Sequence, residues 1–382
     1  MHRFSCTIKS ILGQRGRIHI KMTPSNLRPQ GRLAEMRMFT IITAKQLKRA
    51  AVIVLCALLL LSGGSLLYNH VQATAGEEKK YIKWVDFNVP YEALDKALKL
   101  DVAAHETETP LNWVELLAYL AAKNGGEFKK FKASQLDAVA KELQSGKTIA
   151  ELTENLKYYP YYREAYGAVL DGLVGEYEIE VADETAEGGK KWVRKYGLKG
   201  FSPIAKNYPY SDFDDFGTSR DYGFKRKHLG HDLMGATGTP IIAVEGGTVE
   251  ALGWNQYGGW RIGIRSLDKK RYYYYAHLRQ NFPFNKSLEV GSVVQPGDVI
   301  GYLGHTGYST KENVNNIKQP HLHFGLQLIF DESQKEGNNE IWVDVYPLIR
   351  LLYRNRCEVV KDPETKEYSR VYGYREIKTE GS

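Results

Sequence analysis

The sequence predicts an α+β protein with an N-terminal transmembrane or signal helix, a small all-α module, and then a mostly antiparallel β-sandwich or open barrel. Three observations predict it. Residues 50–68 form an uncharged apolar run, residues 81–178 carry apolar positions at helical spacing, and the chain beyond residue 190 breaks into short β-branched runs punctuated by glycine. The expected boundaries are a basic tail over 1–43, the apolar segment over 44–70, the helical module over 76–180, the β domain over 190–355 and a charged tail over 356–382.

The net charge of +7 is concentrated at one end of the 382 residues. Residues 1–50 hold eleven Lys or Arg against the single Glu35, which is +10, so the remainder carries 41 cations against 44 carboxylates, or −3. A nucleic-acid-binding surface needs basic residues spread over the folded body, and this balance excludes one. The basic first 35 residues read as a cytoplasmic tail, or as an over-extended start with translation beginning at Met36 or Met38. Ala50 to Tyr68 follows Lys45, Lys48 and Arg49 and is nineteen residues long, enough to cross a bilayer with the basic flank inside. The expectation is a single-pass membrane protein, held through residues 50–68 with its C-terminal body outside the cytoplasm. The alternative is secretion after cleavage near Ala75, because Ala73-Thr74-Ala75 has the small-x-small form of a cleavage site.

In the helical module, Pro90 suits a first turn, Leu94 and Leu98 share a face, and Trp113, Leu116, Leu117 and Leu120 repeat at i, i+3, i+4, i+7. Ser134 is the expected N-cap of a helix carrying Leu136, Val139, Ala140 and Leu143, and a further helix runs through Ile149, Leu152 and Leu156. The tyrosines around Pro160 are expected to seal this small core. Gly146-Lys147-Thr148 lacks the first glycine of a phosphate-binding loop, since Lys141 stands in its place. Asp183 to Lys191 is polar and glycine-containing and reads as the linker.

Beyond it, strands are expected at Pro240–Val244, Gly247–Leu252, Trp260–Arg265, Arg271–His277, Val299–Leu303 and His321–Leu328. Of the four consecutive tyrosines Tyr272 to Tyr275, two should face the core and two a surface or groove. The C-terminal residues 357–382 carry no clear pattern apart from Tyr368 to Tyr374.

Six of the ten histidines fall between His228 and His323: these two with His231, His277, His305 and His321. His228 and Asp232 stand four residues apart. On a strand, His321 and His323 would point the same way, with Leu322 and Phe324 in the opposite layer. Imidazole and carboxylate together are the ligands of a borderline metal such as zinc, and three protein ligands with one open position is a catalytic arrangement. Cys6, Cys56 and Cys357 are too far apart in sequence for a disulfide framework or a thiolate site, which leaves nitrogen and oxygen as ligands.

Taken in order, His228-x-x-x-Asp232, Gly238-Thr239-Pro240, Gly247-x-Val249, Tyr275-Ala276-His277-Leu278, Val294-x-x-Gly297-Asp298-x-Ile300-Gly301 and His321-Leu-His323-Phe324 resemble the M23 (LytM/lysostaphin-type) peptidase domain across residues 195–350. The resemblance implies one zinc ion per chain held by His228, Asp232 and His323, with His277 and His321 as the catalytic pair that orients and deprotonates a water. It implies a zinc-dependent endopeptidase acting on peptidoglycan peptides. The alternative is a catalytically silent LytM-like scaffold or wall-binding module at the cell envelope. His231 replaces a usual aliphatic residue and is expected to turn away from the metal. His305 is expected in a groove wall or a surface turn, and Tyr308 to Lys318 lengthens the connection before the His-x-His strand. A lipoyl- or biotinyl-carrier barrel would need its cofactor lysine in a Met-Lys or Asp-Lys-Ala hairpin tip, and a serine hydrolase a Gly-x-Ser-x-Gly elbow. Neither is found. The sequence carries no signal of oligomeric state.

Overall fold

A computed structural model describes residues 81–221, 225–335, 337 and 339–377. The basic tail and the apolar run over 50–68 lie outside these residues, and no helix among the described ones is long and apolar enough to cross a membrane. Residues 81–382 cluster as one compact unit.

The unit opens with helices α1 (Tyr91–Ala104), α2 (Trp113–Asn124), α3 (Ala133–Gln144), α4 (Ile149–Thr153) and α5 (Tyr159–Leu170). The predicted apolar stripes are buried: Leu94, Leu116 and Leu117 are fully covered, and so is Tyr166. Asn112 caps α2 through Oδ1, which accepts from Val114 N at 2.9 Å. Ser134 is not the N-cap of α3. The helix begins two residues earlier, behind Lys132, whose backbone N–H donates to Gln135 Oε1 at 2.9 Å. Here the glutamine at the third helical position reaches back to the N-cap N–H. Thr148, from the rejected phosphate-loop triplet, caps α4 by accepting from Glu151 N at 3.2 Å.

The helical module ends sooner than expected, because Val174–Ala182 is strand β1, paired antiparallel along its length with β2 (Lys190–Leu198). The polar stretch read as a linker is the turn of this hairpin. Asp183 Oδ1 accepts from Thr185 N at 2.9 Å, and Gly188 and Gly189 take left-handed φ of 85° and 71°. Turn chemistry and linker composition are the same residues, so only the partner strand tells them apart. The charged tail is likewise structured, as β14 (Val359–Lys361), β15 (Tyr368–Arg370) and β16 (Tyr374–Glu376), with β16 forming the third strand beside β1.

Between these lie β3 (Ser219–Asp221), β4 (Lys225–Lys227), β5 (His231–Met234), β6 (Pro240–Ile242), β7 (Gly247–Asn255), β8 (Gly259–Ser266), β9 (Arg271–Ala276), β10 (Val293–Val294), β11 (Val299–Tyr302), β12 (His321–Leu328), β13 (Ile341–Trp342) and helix α6 (Tyr346–Leu352). The main sheet runs β10-β7-β8-β9-β12-β13, with β5 beside β13 on the same edge of β12, and β6-β11 form a separate pair. Every pairing is antiparallel. The open barrel is therefore a half-barrel sheet. Its inner face buries Tyr273, Tyr275, Leu322, Phe324 and Leu326 completely, and its outer face carries Tyr272, Tyr274, His321 and His323, as the period of two requires.

The helices and the half-barrel share one continuous apolar core. A buried ionic knot crosses between them. Arg271, 1% exposed, gives Nε and Nη2 to Glu245 at 2.7 and 3.0 Å, Nη1 to the carbonyl of Ala168 at 2.9 Å, and Nη2 to Asp268 at 2.8 Å. Tyr273 Oη also donates to Glu245, at 2.6 Å. Removing one partner of such a pair strands the other charge. Arg271→Met is accordingly expected to lower unfolding free energy by about 3–5 kcal/mol in denaturant titrations. Arg271→Met/Glu245→Gln should recover part of that loss, and a single-variant cost below about 1 kcal/mol would show the knot to be dispensable.

Candidate metal centre and active site

Strand β12 places His323 opposite Asp232 of β5 and opposite Ala276 of β9. His228 lies three residues before β5, in a loop fixed by its own backbone N–H on the carbonyl of Thr218 at 2.9 Å. The result is a triangle of ligand atoms: His228 Nε2 to Asp232 Oδ1 3.0 Å, His228 Nε2 to His323 Nδ1 3.0 Å, and His323 Nδ1 to Asp232 Oδ1 2.9 Å. Among the described residues it is the only group of three His, Cys, Asp or Glu whose ligand atoms converge in this way. Tetrahedral zinc with bonds near 2.0–2.1 Å separates its ligands by about 3.3 Å, so the triangle is nearly of the size to face such an ion, and two imidazoles with one carboxylate are the matching donors.

The surroundings hold the triangle in place. His228 Nδ1 is 2.9 Å from Asp215 Oδ1, which fixes the ring with Nε2 facing inward. Arg220 pairs with Asp215 and reaches Asp232 Oδ2 at 3.1 Å, joining the two carboxylates. Gly230 packs directly on His323: a Cβ there would stand 2.6 Å from both Cε1 and Nε2 of that ring. Burial would raise the Asp232 carboxyl, but hydrogen bonds with His228 and His323 and the nearby imidazoles outweigh it and hold it well below the usual carboxylate range. Burial lowers His323, partly opposed by Asp232, which favours the neutral, ligating imidazole.

His277 and His321 stand beside the triangle, their ring centroids 4.8 Å apart, with His277 5.8 Å from His323. Each commits Nδ1 to a carbonyl: His277 to Thr306 at 3.0 Å and His321 to Gln319 at 2.8 Å. A carbonyl can only accept, so both rings carry hydrogen on Nδ1 and present Nε2 as the free nitrogen. His321 Nε2 lies 3.7 Å from Asp232 Oδ1. His277 has φ of 62°, a left-handed conformation rare for a residue with a side chain, held by its N–H on Gly258 O at 2.8 Å. Burial first, then the charges of His321 and His323, push its imidazole well below the usual value, toward the neutral form.

All five predicted site residues therefore come together. His231 does point away, as expected. It is buried on the other face of β5, with Nε2 2.8 Å from Asp212 Oδ2 and its ring 5.2 Å from that of Tyr346. His305 serves a turn, its Nδ1 meeting Ile317 O at 2.8 Å. Sequence reasoning missed Asp215 and Arg220. Their only signal is the carboxylate-rich Asp212-Phe213-Asp214-Asp215 upstream of His228, with no fixed spacing to betray a contact.

The centre sits in a groove with two halves that share Arg226, His228, His277 and His323. One half, about 530 Å³, is floored by Tyr272 and Tyr274 and flanked by Trp342. The other, about 660 Å³, is walled by Tyr308 and by Asn316 to Gln319, so the lengthened connection does border the cleft. Asn313 pins that connection by accepting from Trp260 Nε1 at 2.9 Å.

Residues 226–336, the greater part of the half-barrel, match the model of Peptidase family M23. The chain carries, in particular, a peptidase family M23 domain. It is 37% identical over 220 residues to the L-Ala–D-Glu endopeptidase of Bacillus subtilis, covering 55% of this chain and 64% of that one. It is 39% identical over 98 residues to the glycyl-glycine endopeptidase ALE-1 of Staphylococcus capitis, covering 25% of this chain and 24% of the relative. The catalytic domain of lysostaphin from Staphylococcus simulans aligns in structure at 29% identity with a TM-score of 0.29, covering 37% of this chain and 92% of that one. The chain thus spans just under two thirds of the first relative and about a quarter of the second.

Asp215→Ala is expected to weaken metal binding by about 10–100-fold in a chelator competition, because it frees the His228 ring. Gly230→Ala should weaken it comparably by displacing His323. Unchanged affinity in both would mean that the ligands need no such support.

Proposed function

We propose that the protein is a zinc-dependent endopeptidase that hydrolyses peptide bonds of bacterial peptidoglycan. The observation that carries the reading is the convergence of His228 Nε2, Asp232 Oδ1 and His323 Nδ1 within 3.0 Å of one another, beside His277 and His321, inside the M23 span. The relatives named for L-Ala–D-Glu and glycyl-glycine cleavage support peptide linkages of the wall as the substrate class. The apolar run at residues 50–68 supports an extracytoplasmic body, anchored by that run or released from it.

His228, Asp232 and His323 would hold the ion, which when bound supplies Lewis acidity to the scissile carbonyl and lowers the pKa of water. The neighbouring imidazoles move the proton. With Nδ1–H already donated to Thr306 or Gln319, the Nε2 atoms of His277 and His321 accept a proton from the attacking water. Once protonated, that nitrogen donates a hydrogen bond to the oxyanion and then passes the same proton to the departing amine. Burial keeps His277 neutral beforehand, so it is ready as a base near neutral pH. Asp215 and Arg220 hold the carboxylate and imidazole ligands through these steps.

The test is metal content and peptide products from purified cell walls. His323→Ala should lose both bound zinc and cleavage. His277→Ala should keep zinc while kcat falls by about 10²–10⁴-fold. Wild-type protein that binds zinc and releases no new amines from any wall preparation would make the domain a scaffold, and His323→Ala with normal zinc would displace the ligand assignment.

A further inference from the structure

Both halves of the groove are cationic: Arg220, Arg226 and Lys318 against Asp232 line one, and the other carries one cation more. The half floored by Tyr272 and Tyr274 is bordered by Arg226, Lys227, Arg261 and Lys335 against the single carboxylate Glu340. Most of these groups have internal company. Lys335 Nζ is 2.7 Å from Glu250, Arg226 lies over the rings of Tyr257 and Tyr308, and Glu340 accepts from Trp342 Nε1 at 2.8 Å. Arg261 is different. No ion pair joins it to a carboxylate among the described residues, and its Nε is buried without a hydrogen-bond partner.

Its position is set by the sheet. Arg261 precedes by two residues Gly263, which pairs with Tyr274, so Arg261 emerges on the same face of the sheet as that ring. Tyr274 in turn lies 6.0 Å from His323, ring to ring. A guanidinium that lines the groove without a carboxylate of its own can take one from outside, and a carboxylate matches its fork with two parallel bonds.

We propose that this half of the groove is a carboxylate-binding subsite, in which Arg261 selects a peptide bearing an acidic side chain or free carboxylate close to the bond that is cut. The inference rests on the peptidase reading and goes beyond it by naming the charge of the substrate and the residue that reads it. Tyr274, supported by Asn255 Nδ2 at 3.3 Å, forms the floor against which the peptide lies. The other half of the groove has no place in this selection.

The experiment uses the full chain loaded with zinc and two peptides of wall composition, identical except that a carboxylate next to the cleaved bond is a carboxamide in one. Wild-type kcat/KM should favour the acid by about 10–100-fold, carried mainly by KM. Arg261→Gln should bring the ratio near 1, and Arg261→Lys should restore part of it, which separates recognition from misfolding; melting temperature checks the fold of each. A wild-type ratio near 1, or a ratio that survives Arg261→Gln, overturns the proposal. If neither peptide is cleaved, the peptidase reading fails, and fluorescence anisotropy with the same labelled peptides still decides the subsite. Tighter binding of the acid, lost in Arg261→Gln, supports it; equal or undetectable binding of both overturns it.

Discussion

Strand β12 is hydrogen-bonded on both edges, and the site depends on that. One edge pairs with β5 over His321 to Phe324, the other with β9 over His323 to Leu328. His323 thus has its backbone fixed by two neighbours at once, and Asp232 is its cross-strand partner. A slip of one residue in either pairing would turn His323 into the core and Leu322 or Phe324 outward, exchanging fully buried apolar side chains for ligands. The hydrophobic layer therefore holds the register of the candidate metal ligands. Neither ligand needs a flexible loop, which leaves only His228 to be positioned by other means.

The rest of the structure supplies those means. His228 is oriented by Asp215 and, through it, by Arg220, while His277 is held by the turn that carries Thr306. Thr306 is fully buried, with Oγ1 donating to Leu278 O at 2.6 Å and accepting from Trp260 N at 3.1 Å. A rare backbone conformation at His277 is thereby tolerated where the ring faces His321 and His323. The tautomers follow from the same contacts: two carbonyls take the Nδ1 hydrogens and leave two basic nitrogens toward the groove.

The helical segment is a buttress to the half-barrel rather than an independent module. Its core is continuous with that of the sheet, and Arg271 reaches from β9 to the Ala168 carbonyl at the end of α5. Gly172 lies so close to the Glu245–Arg271 pair that a Cβ would stand 1.7 Å from Glu245 Oε1. The strand that carries the four tyrosines is tied in this way to the first half of the unit. The C-terminal residues close the other side by adding β16 to the β1–β2 hairpin.

By itself the sequence determined the periodic parts: the helical stripes of α1 and α2, the strands β6, β7, β8, β9, β11 and β12 to within a few residues, and the alternation that divides Tyr272 to Tyr275 two and two between the faces of the sheet. It also singled out the five residues that the fold gathers at the candidate centre, because their spacing is local within each motif. Tertiary structure decided the rest. Whether Asp183 to Lys191 was linker or turn, and whether the charged tail was free or a strand, depended on partners far away in sequence, which composition cannot encode. Asp215 and Arg220 gained their roles only when the chain folded back on His228. Local periodicity reflects forces between near neighbours, whereas the support of a ligand or the charge of a groove wall exists only between residues that distance along the chain has separated.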